Sequence, residues 1–344
     1  MRLYWHQRDL RTRDNAGLAA AAQSETVLPV YVYDTEALGT IGRRQRAFLM
    51  RGVRALKSRY RELGGDLLVR SGTPAEVLSE VATTFDAEAV HYDEHYRPAR
   101  RTRQRAVERA LSAEDVGTDA RTDLVLVDPG RLDARYPSHG RFYDDWERVP
   151  KSRPFDEPSS DHLADVTDET TVPLPDVDVD LPTAGYDAAR DRLDDFLDAG
   201  IYDYNDTRDD LARAVEAPTQ AVSRLSPYLA AGMIGVREVW ADATAVYDAV
   251  SGGEARNVDK YRYELSWREH NYHLLYHNPD LGKSNYDDPP GDIAWNDDDS
   301  AFEAWVAGET GYPLVDAGMR QLDREGYIHN RPRQVVASFL TKHL

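Results

Sequence analysis

The sequence predicts two differently built halves: an α/β domain with a doubly wound parallel sheet, Rossmann-like in plan, and then an all-α domain. Three observations predict this. Over residues 1–127, short apolar runs alternate with amphipathic helical stretches, the pattern of a parallel sheet with helices on both faces. From Tyr186 onward only helical periodicity is left. Between them, residues 131–185 are rich in Asp, Pro, Ser and Thr and lose periodicity, as a linker draped over the first domain would. A chain of 344 residues suits two domains, here 1–130 and 186–344, joined by that linker.

The expected strands are Leu3–His6, Val27–Tyr33, Leu67–Val69, Ala89–His91 and Leu124–Val127. The helix at 43–63 carries Leu49, Val53, Leu56, Tyr60 and Leu63 on one stripe, and Gly64-Gly65 reads as its C-cap. The next begins Thr73-Pro74-Ala75-Glu76: N-cap, proline at the first position, capping-box acid. No G-x-G-x-x-G follows the first strand, which argues against a nicotinamide cofactor. In the second half, Leu193, Phe196 and Leu197 share a face, and Gly200 ends that helix. Ser226-Pro227 reads as N-cap and N1 of another helix, and Gly326 as an αL terminator.

Composition narrows the chemistry. There is no cysteine, so disulfides, thiolate catalysis and Cys-based metal sites are excluded. The net charge is −19, from 61 acidic against 42 basic residues. Lysine occurs only at 57, 151, 260, 283 and 342. Taken alone, such acidity argues against nucleic acid as a partner. An acidic, lysine-poor surface also suits a halophilic cytosol, where salt at 1 M screens charge within about 3 Å. No signal peptide or membrane-length apolar run is present, which predicts a cytoplasmic monomer. The arginine-rich stretches 43–61 and 97–111 read as solvated helix faces.

The stretch Tyr261–Asn278, YRYELSWREHNYHLLYHN, has no Pro or Gly and reads as one helix of about five turns. Glu264, Trp267 and Arg268 fall at i, i+3 and i+4, placing a carboxylate, a large π-surface and a guanidinium on one face. That stripe can pack and hydrogen-bond a flat ligand; its plainer alternative is a Glu264–Arg268 surface pair beside a core Trp. Ser223 and Ser226 precede a helix, a place that suits an anion but is also ordinary capping. His270, His273 and His277 share a helix face, yet H-E-x-x-H is absent, so no metal site is expected.

Five blocks in order, QRDLRTRDNAGL (7–18), SRLSPYLAAGMIGVRE (223–238), ELSWRE (264–269), TGYPLVDAGMRQL (310–322) and HNRPRQVVASFL (329–340), resemble the photolyase/cryptochrome flavoproteins, on the branch of class I-like cyclobutane pyrimidine dimer photolyases. The resemblance implies an antenna domain followed by a helical FAD- and DNA-binding domain, and light-dependent repair of UV-damaged DNA. A cryptochrome-like photoreceptor without repair activity is the alternative. It places Tyr204, Val222, Ser223, Arg224, Leu225, Ser226, Tyr261, Arg268, Asn330 and Arg333 around FAD. Val222 stands where the family has Thr, Tyr261 where it has Trp, and Gln334 where it has Met. Glu264 and Trp267 would face the lesion as catalytic residues, Asn330 also lying on the DNA side, and Trp295 would be the surface end of an electron-transfer chain. The antenna domain of the family can hold methenyltetrahydrofolate or an 8-hydroxy-deazaflavin, and Glu108 matches the carboxylate of folate-using members, its alternative being a helix-surface acid flanked by Arg105 and Arg109. Relatives continue through a further helical segment with an Asp pair and more Trp, so the resemblance implies a helical domain cut short at Leu344.

Overall fold

The computed structural model describes residues 1–23, 25–287, 296 and 298–343. Five parallel strands, β1 (Arg2–His6), β2 (Val27–Tyr33), β3 (Leu68–Ser71), β4 (Ala89–Asp93) and β5 (Gly117–Arg121), form one sheet in the order β3-β2-β1-β4-β5. The order reverses between β1 and β4, the signature of a doubly wound sheet. Strand period two divides its faces. Leu3, Trp5, Leu28, Val30, Leu68 and Val90 pack against the Pro74–Thr84 and Pro98–Ala113 helices. Tyr4, Tyr31 and Val69 face the Arg43–Glu62 helix, through Leu49, Val53, Leu56 and Tyr60. That second core runs on without a break into Phe142, Trp146, Phe196, Tyr228 and Tyr261 of the other half. The α/β half is therefore one wall of a continuous interior. Among the described residues, no helix is long and apolar enough to cross a membrane.

The fifth strand differs from its expected place. Leu124–Val127, buried from Val125 onward, lies outside the sheet, because the Glu269 carboxylate takes the Leu126 amide (2.7 Å) and reaches the Val127 amide (3.4 Å). The edge position goes instead to the exposed, polar Gly117–Arg121, a strand with charged side chains at its edge. The 131–185 segment also holds more structure than expected. Its His139–Arg148 helix buries Phe142 and Trp146, and Asp168 binds the Lys57 ammonium (2.9 Å) and the Val69 amide (3.0 Å) across the first domain. Thr73 and Ser226 make no side-chain caps; the helix at Ser226–Ala231 has Leu225 at its N-cap, leaving the Ser226 hydroxyl unspent there. Gly64 and Gly326 adopt positive φ just past helix ends, as their sequence places predict.

Two features join the halves. Gly232, at φ 67°, sits so close to the Arg8 backbone that a Cβ would lie 1.9 Å from its carbonyl oxygen, and a Cβ on Gly235 would lie 1.8 Å from Asp14 Oδ2. Beside them, Arg237 from the Val236–Ala249 helix donates to Asp14 Oδ1 (2.8 Å) and to Asp123, while Arg11 donates to Asp123 and to the Gly232 carbonyl (3.1 Å). The four side chains are 3 % exposed or less. Two cations and two anions thus neutralise one another inside the seam, as buried charge requires.

Candidate functional site

The Gly252–His277 helix is anchored at Glu269, whose buried carboxylate also approaches the Trp146 indole (3.4 Å). Arg268 adds a hydrogen bond to the Leu124 carbonyl (2.8 Å). Burial pushes the Glu269 carboxyl above the usual range, with Arg268 and the two backbone amides pulling the other way. One helical turn before this anchor, the helix faces a cleft of about 1430 Å³ including its open mouth. The opposite wall comes from the 222–226 loop, the Tyr204–Thr207 turn and the residues from Tyr327 to Arg333.

Every residue that the resemblance places around a flavin lines this one cleft: Tyr204, Val222, Ser223, Arg224, Leu225, Ser226, Tyr261, Arg268, Asn330 and Arg333. Glu264 and Trp267 line it too. Tyr261 is buried against Phe196 (4.8 Å) and Tyr204 (5.2 Å), and burial pushes its phenol up to about 12, the Ser223 side chain opposing. Arg224 holds a positive φ of 48°, a conformation costing a non-glycine residue about 1–3 kcal/mol. It is fixed there by Glu325 (3.0 Å), the Ala214 carbonyl (3.0 Å) and the Tyr327 ring. Strain stored in a loop whose serines cap nothing points to a loop shaped for a ligand.

The alternative Glu264–Arg268 surface pair does not form. Glu264 instead binds Arg208 (2.5 Å) and Lys260 (2.7 Å), because Arg268 is committed to Leu124 and Glu269. Trp267 is 40 % exposed and has one face open to the cleft. Its other face lies on the His139 ring at 3.6 Å and 8° between planes. His270 and His273 are buried against Phe142, and His273 meets the Asp133 carbonyl (2.8 Å) while His277 reaches that of Pro129 (3.3 Å), so these histidines pack the helix onto the end of the first domain and the start of the linker. Trp295 lies outside the described residues.

Sequence reasoning missed Arg208, His139, Tyr272, Tyr327 and His329. Arg208 stands four residues after Tyr204, so its helical spacing could have marked it as the partner of the acidic stripe. His139 lies in a segment taken for linker; only the aromatic spacing of Phe142 and Trp146 signalled a packed helix there.

A second cavity, of about 800 Å³, opens at the C-terminal ends of β1 and β2. Arg8, Arg97, Arg100 and Arg103 line it, with Asp34 paired to Arg103 (3.0 Å). Burial and then the neighbouring Arg8, Arg103 and Arg97 charges push the Arg100 guanidinium down to about 9. Glu108 is elsewhere, its carboxylate accepting the Tyr92 phenol.

Comparison with known proteins gives a consistent result. The family profile described as DNA photolyase matches residues 2–159, and the FAD binding domain of DNA photolyase matches 261–344. The deoxyribodipyrimidine photo-lyase of Halobacterium salinarum is 41 % identical over 369 residues, covering 100 % of this chain and 76 % of that protein. The enzyme of the same name from Agrobacterium fabrum is 34 % identical, covering 99 % and 73 %. Among solved structures, a bacterial class III photolyase from Agrobacterium tumefaciens superposes with a TM-score of 0.85 at 32 % identity, covering 100 % of this chain and 73 % of its own. An archaeal photolyase from Sulfolobus tokodaii, solved with two FAD molecules, gives 0.80 at 25 % identity, covering 98 % and 74 %.

Proposed function

The chain belongs to the photolyase/cryptochrome family, and from that premise we propose that it repairs UV-damaged DNA with light, splitting cyclobutane pyrimidine dimers with FAD held in the large cleft. The observation that carries this reading is the gathering of the whole expected flavin set, with Glu264 and Trp267, around one cavity. The residues fit the cofactor. The strained 222–226 loop offers two serine hydroxyls and free backbone amides to a pyrophosphate. Tyr204 and Tyr261 give aromatic walls from the two sides of the cleft, and Arg268, Asn330 and Arg333 supply polar groups.

When bound, reduced FAD supplies the electron, on photoexcitation, that opens the cyclobutane ring and then returns. The protein's own work is to extrude the dimer from the duplex, seat it and shape the field around it. Trp267 would stack on the extruded bases, worth about 1–3 kcal/mol per base. Glu264, paired with two cations, presents acceptors only, so it suits an imide N–H of the dimer rather than a carbonyl. Arg208, held against it, is then the donor best placed for a carbonyl that gains charge. Residues 1–130 would serve as the antenna domain and 186–344 as the FAD- and DNA-binding domain. The arginine-lined cavity suits an anionic antenna pigment better than the site at Glu108, whose carboxylate Tyr92 already occupies. We place the protein in the cytoplasm, acting as a monomer.

The test is direct. The chain is loaded with FAD, reduced and mixed with a duplex oligonucleotide containing one thymine dimer. Blue light should restore intact thymines, and darkness should not. A flavin-loaded protein that changes its spectrum under light yet leaves the dimer intact would favour the photoreceptor reading.

A further inference from the structure

His139 belongs to the segment between the two domains, 128 residues before Trp267 in the chain, yet its ring lies flat on the indole at 3.6 Å. The imidazole is buried while the indole beyond it is open. Its orientation is fixed on both nitrogens. The Ser266 hydroxyl spends its hydrogen on the Tyr263 carbonyl (2.7 Å), so at 3.0 Å from Nε2 it accepts, and Nε2 carries the proton. Nδ1 is then the acceptor for the Tyr263 phenol at 2.9 Å. The Tyr263 ring also abuts the imidazole edge-on at 4.8 Å. Both partners sit on the same helix as Trp267, one at i−4 and one at i−1, so helix and imidazole form a single rigid frame.

We propose that His139 is a positioning residue for the repair reaction: it backs Trp267 face to face and holds the indole plane in the attitude that receives the extruded dimer. This rests on the reading of Trp267 as the base-stacking platform. An exposed tryptophan on a helix ordinarily samples several rotamers, and each must be surrendered on binding. A ring stacked behind it removes that cost before the DNA arrives and leaves one face for the bases. Burial of the imidazole, the neighbouring His270 and Lys260 hold it neutral, so the frame adds no charge of its own behind the platform.

The test compares affinities of the full chain for a duplex carrying one thymine dimer and for the undamaged duplex. His139→Ala should weaken lesion binding by about two- to tenfold, the range expected for one lost aromatic stack, with undamaged binding unchanged. His139→Phe, which keeps the ring and discards both nitrogens, should restore affinity to within about twofold of wild type. His139→Gln, which fills the space without a ring, should not. Acrylamide quenching of the Trp267 signal, isolated by difference from Trp267→Phe, should rise in the Ala and Gln variants and fall back in the Phe variant. If Ala fails to fold, the Phe–Gln pair carries the comparison. Equal affinity and equal quenching across Phe and Gln would overturn the inference while Trp267→Ala still loses lesion binding. If Trp267→Ala itself binds the lesion normally, the platform reading fails, and the quenching series alone then reports whether the stack exists.

Discussion

Replacing Arg237 by Met removes one charge from the buried seam while nearly preserving its volume. Arg237 is the helical half's only member of the quartet with Arg11, Asp14 and Asp123; without it, two buried carboxylates share one guanidinium. Taking one partner from a buried, hydrogen-bonded pair costs about 3–5 kcal/mol, because the remaining charge stays desolvated and unmatched. Burial already pushes the Asp14 carboxyl up, with Arg237 as the largest opposing influence, so its loss should leave Asp14 protonated or drive water into the seam. The stacking of the guanidinium over Phe155 at 5.1 Å is lost as well. Urea unfolding followed by far-ultraviolet dichroism should show a midpoint lowered by the equivalent of about 3–5 kcal/mol. It should also show a transition broadened or split in two, because the halves would no longer unfold together. Arg237→Lys, which keeps the charge but not the fork, should fall between. A loss below about 1 kcal/mol with a single sharp transition would refute the claim that this quartet couples the halves.

Three further outcomes follow from the same structure. Glu264→Ala should lower repair per absorbed photon more than lesion affinity, by about tenfold or more, since it frees Arg208 from the place where its donor meets the carbonyl that gains charge; an unchanged quantum yield would make Glu264 merely the mate of Arg208 and Lys260. Burial lowers the His139 and His273 imidazoles to about 4, from an ordinary 6.5. Below 6.5 the unfolded chain therefore binds protons that the folded chain refuses, and their contribution, present in full above pH 6.5, is lost as pH falls toward 4. His139→Phe combined with His273→Phe should flatten the stability profile between pH 6.5 and 4.5; an unaltered slope there would contradict the assignment. Lesion selectivity over undamaged DNA should hold or rise from low salt to ~2 M KCl, because phosphate contacts weaken by counterion release while stacking is screened little. Selectivity that vanished at high salt in a folded protein would remove the halophilic reading.

Much of this was legible in the sequence because it is local. Stripes such as Leu49–Val53–Leu56–Tyr60 and terminators such as Gly326 are set by neighbours a few residues away, and the cleft's residues sit in short ordered blocks. What escaped depends on partners far along the chain. Leu124–Val127 has the apolar wording of a strand, but Glu269 claims its amides from 143 residues away. Glu264 looked like the mate of Arg268 by spacing; Arg268's commitment to Leu124 sends the acid to Arg208 and Lys260 instead. His139 carried no local signal at all, since its meaning lies entirely in the indole it meets.

The glycines at 232 and 235 bear on how such a protein can change. Each admits no side chain because backbone or carboxylate from the other half fills the place a Cβ would take. A chimera that exchanged the first 127 residues for a foreign counterpart would have to import, with the new strands, a loop matching Arg8 and Asp14 in path to within a few tenths of an ångström. Cassette exchange at the linker should therefore yield insoluble hybrids far more often than exchange of single surface helices. In a directed-evolution campaign on the N-terminal half, crossover points are better set inside the sheet's outer helices than at the boundary between domains.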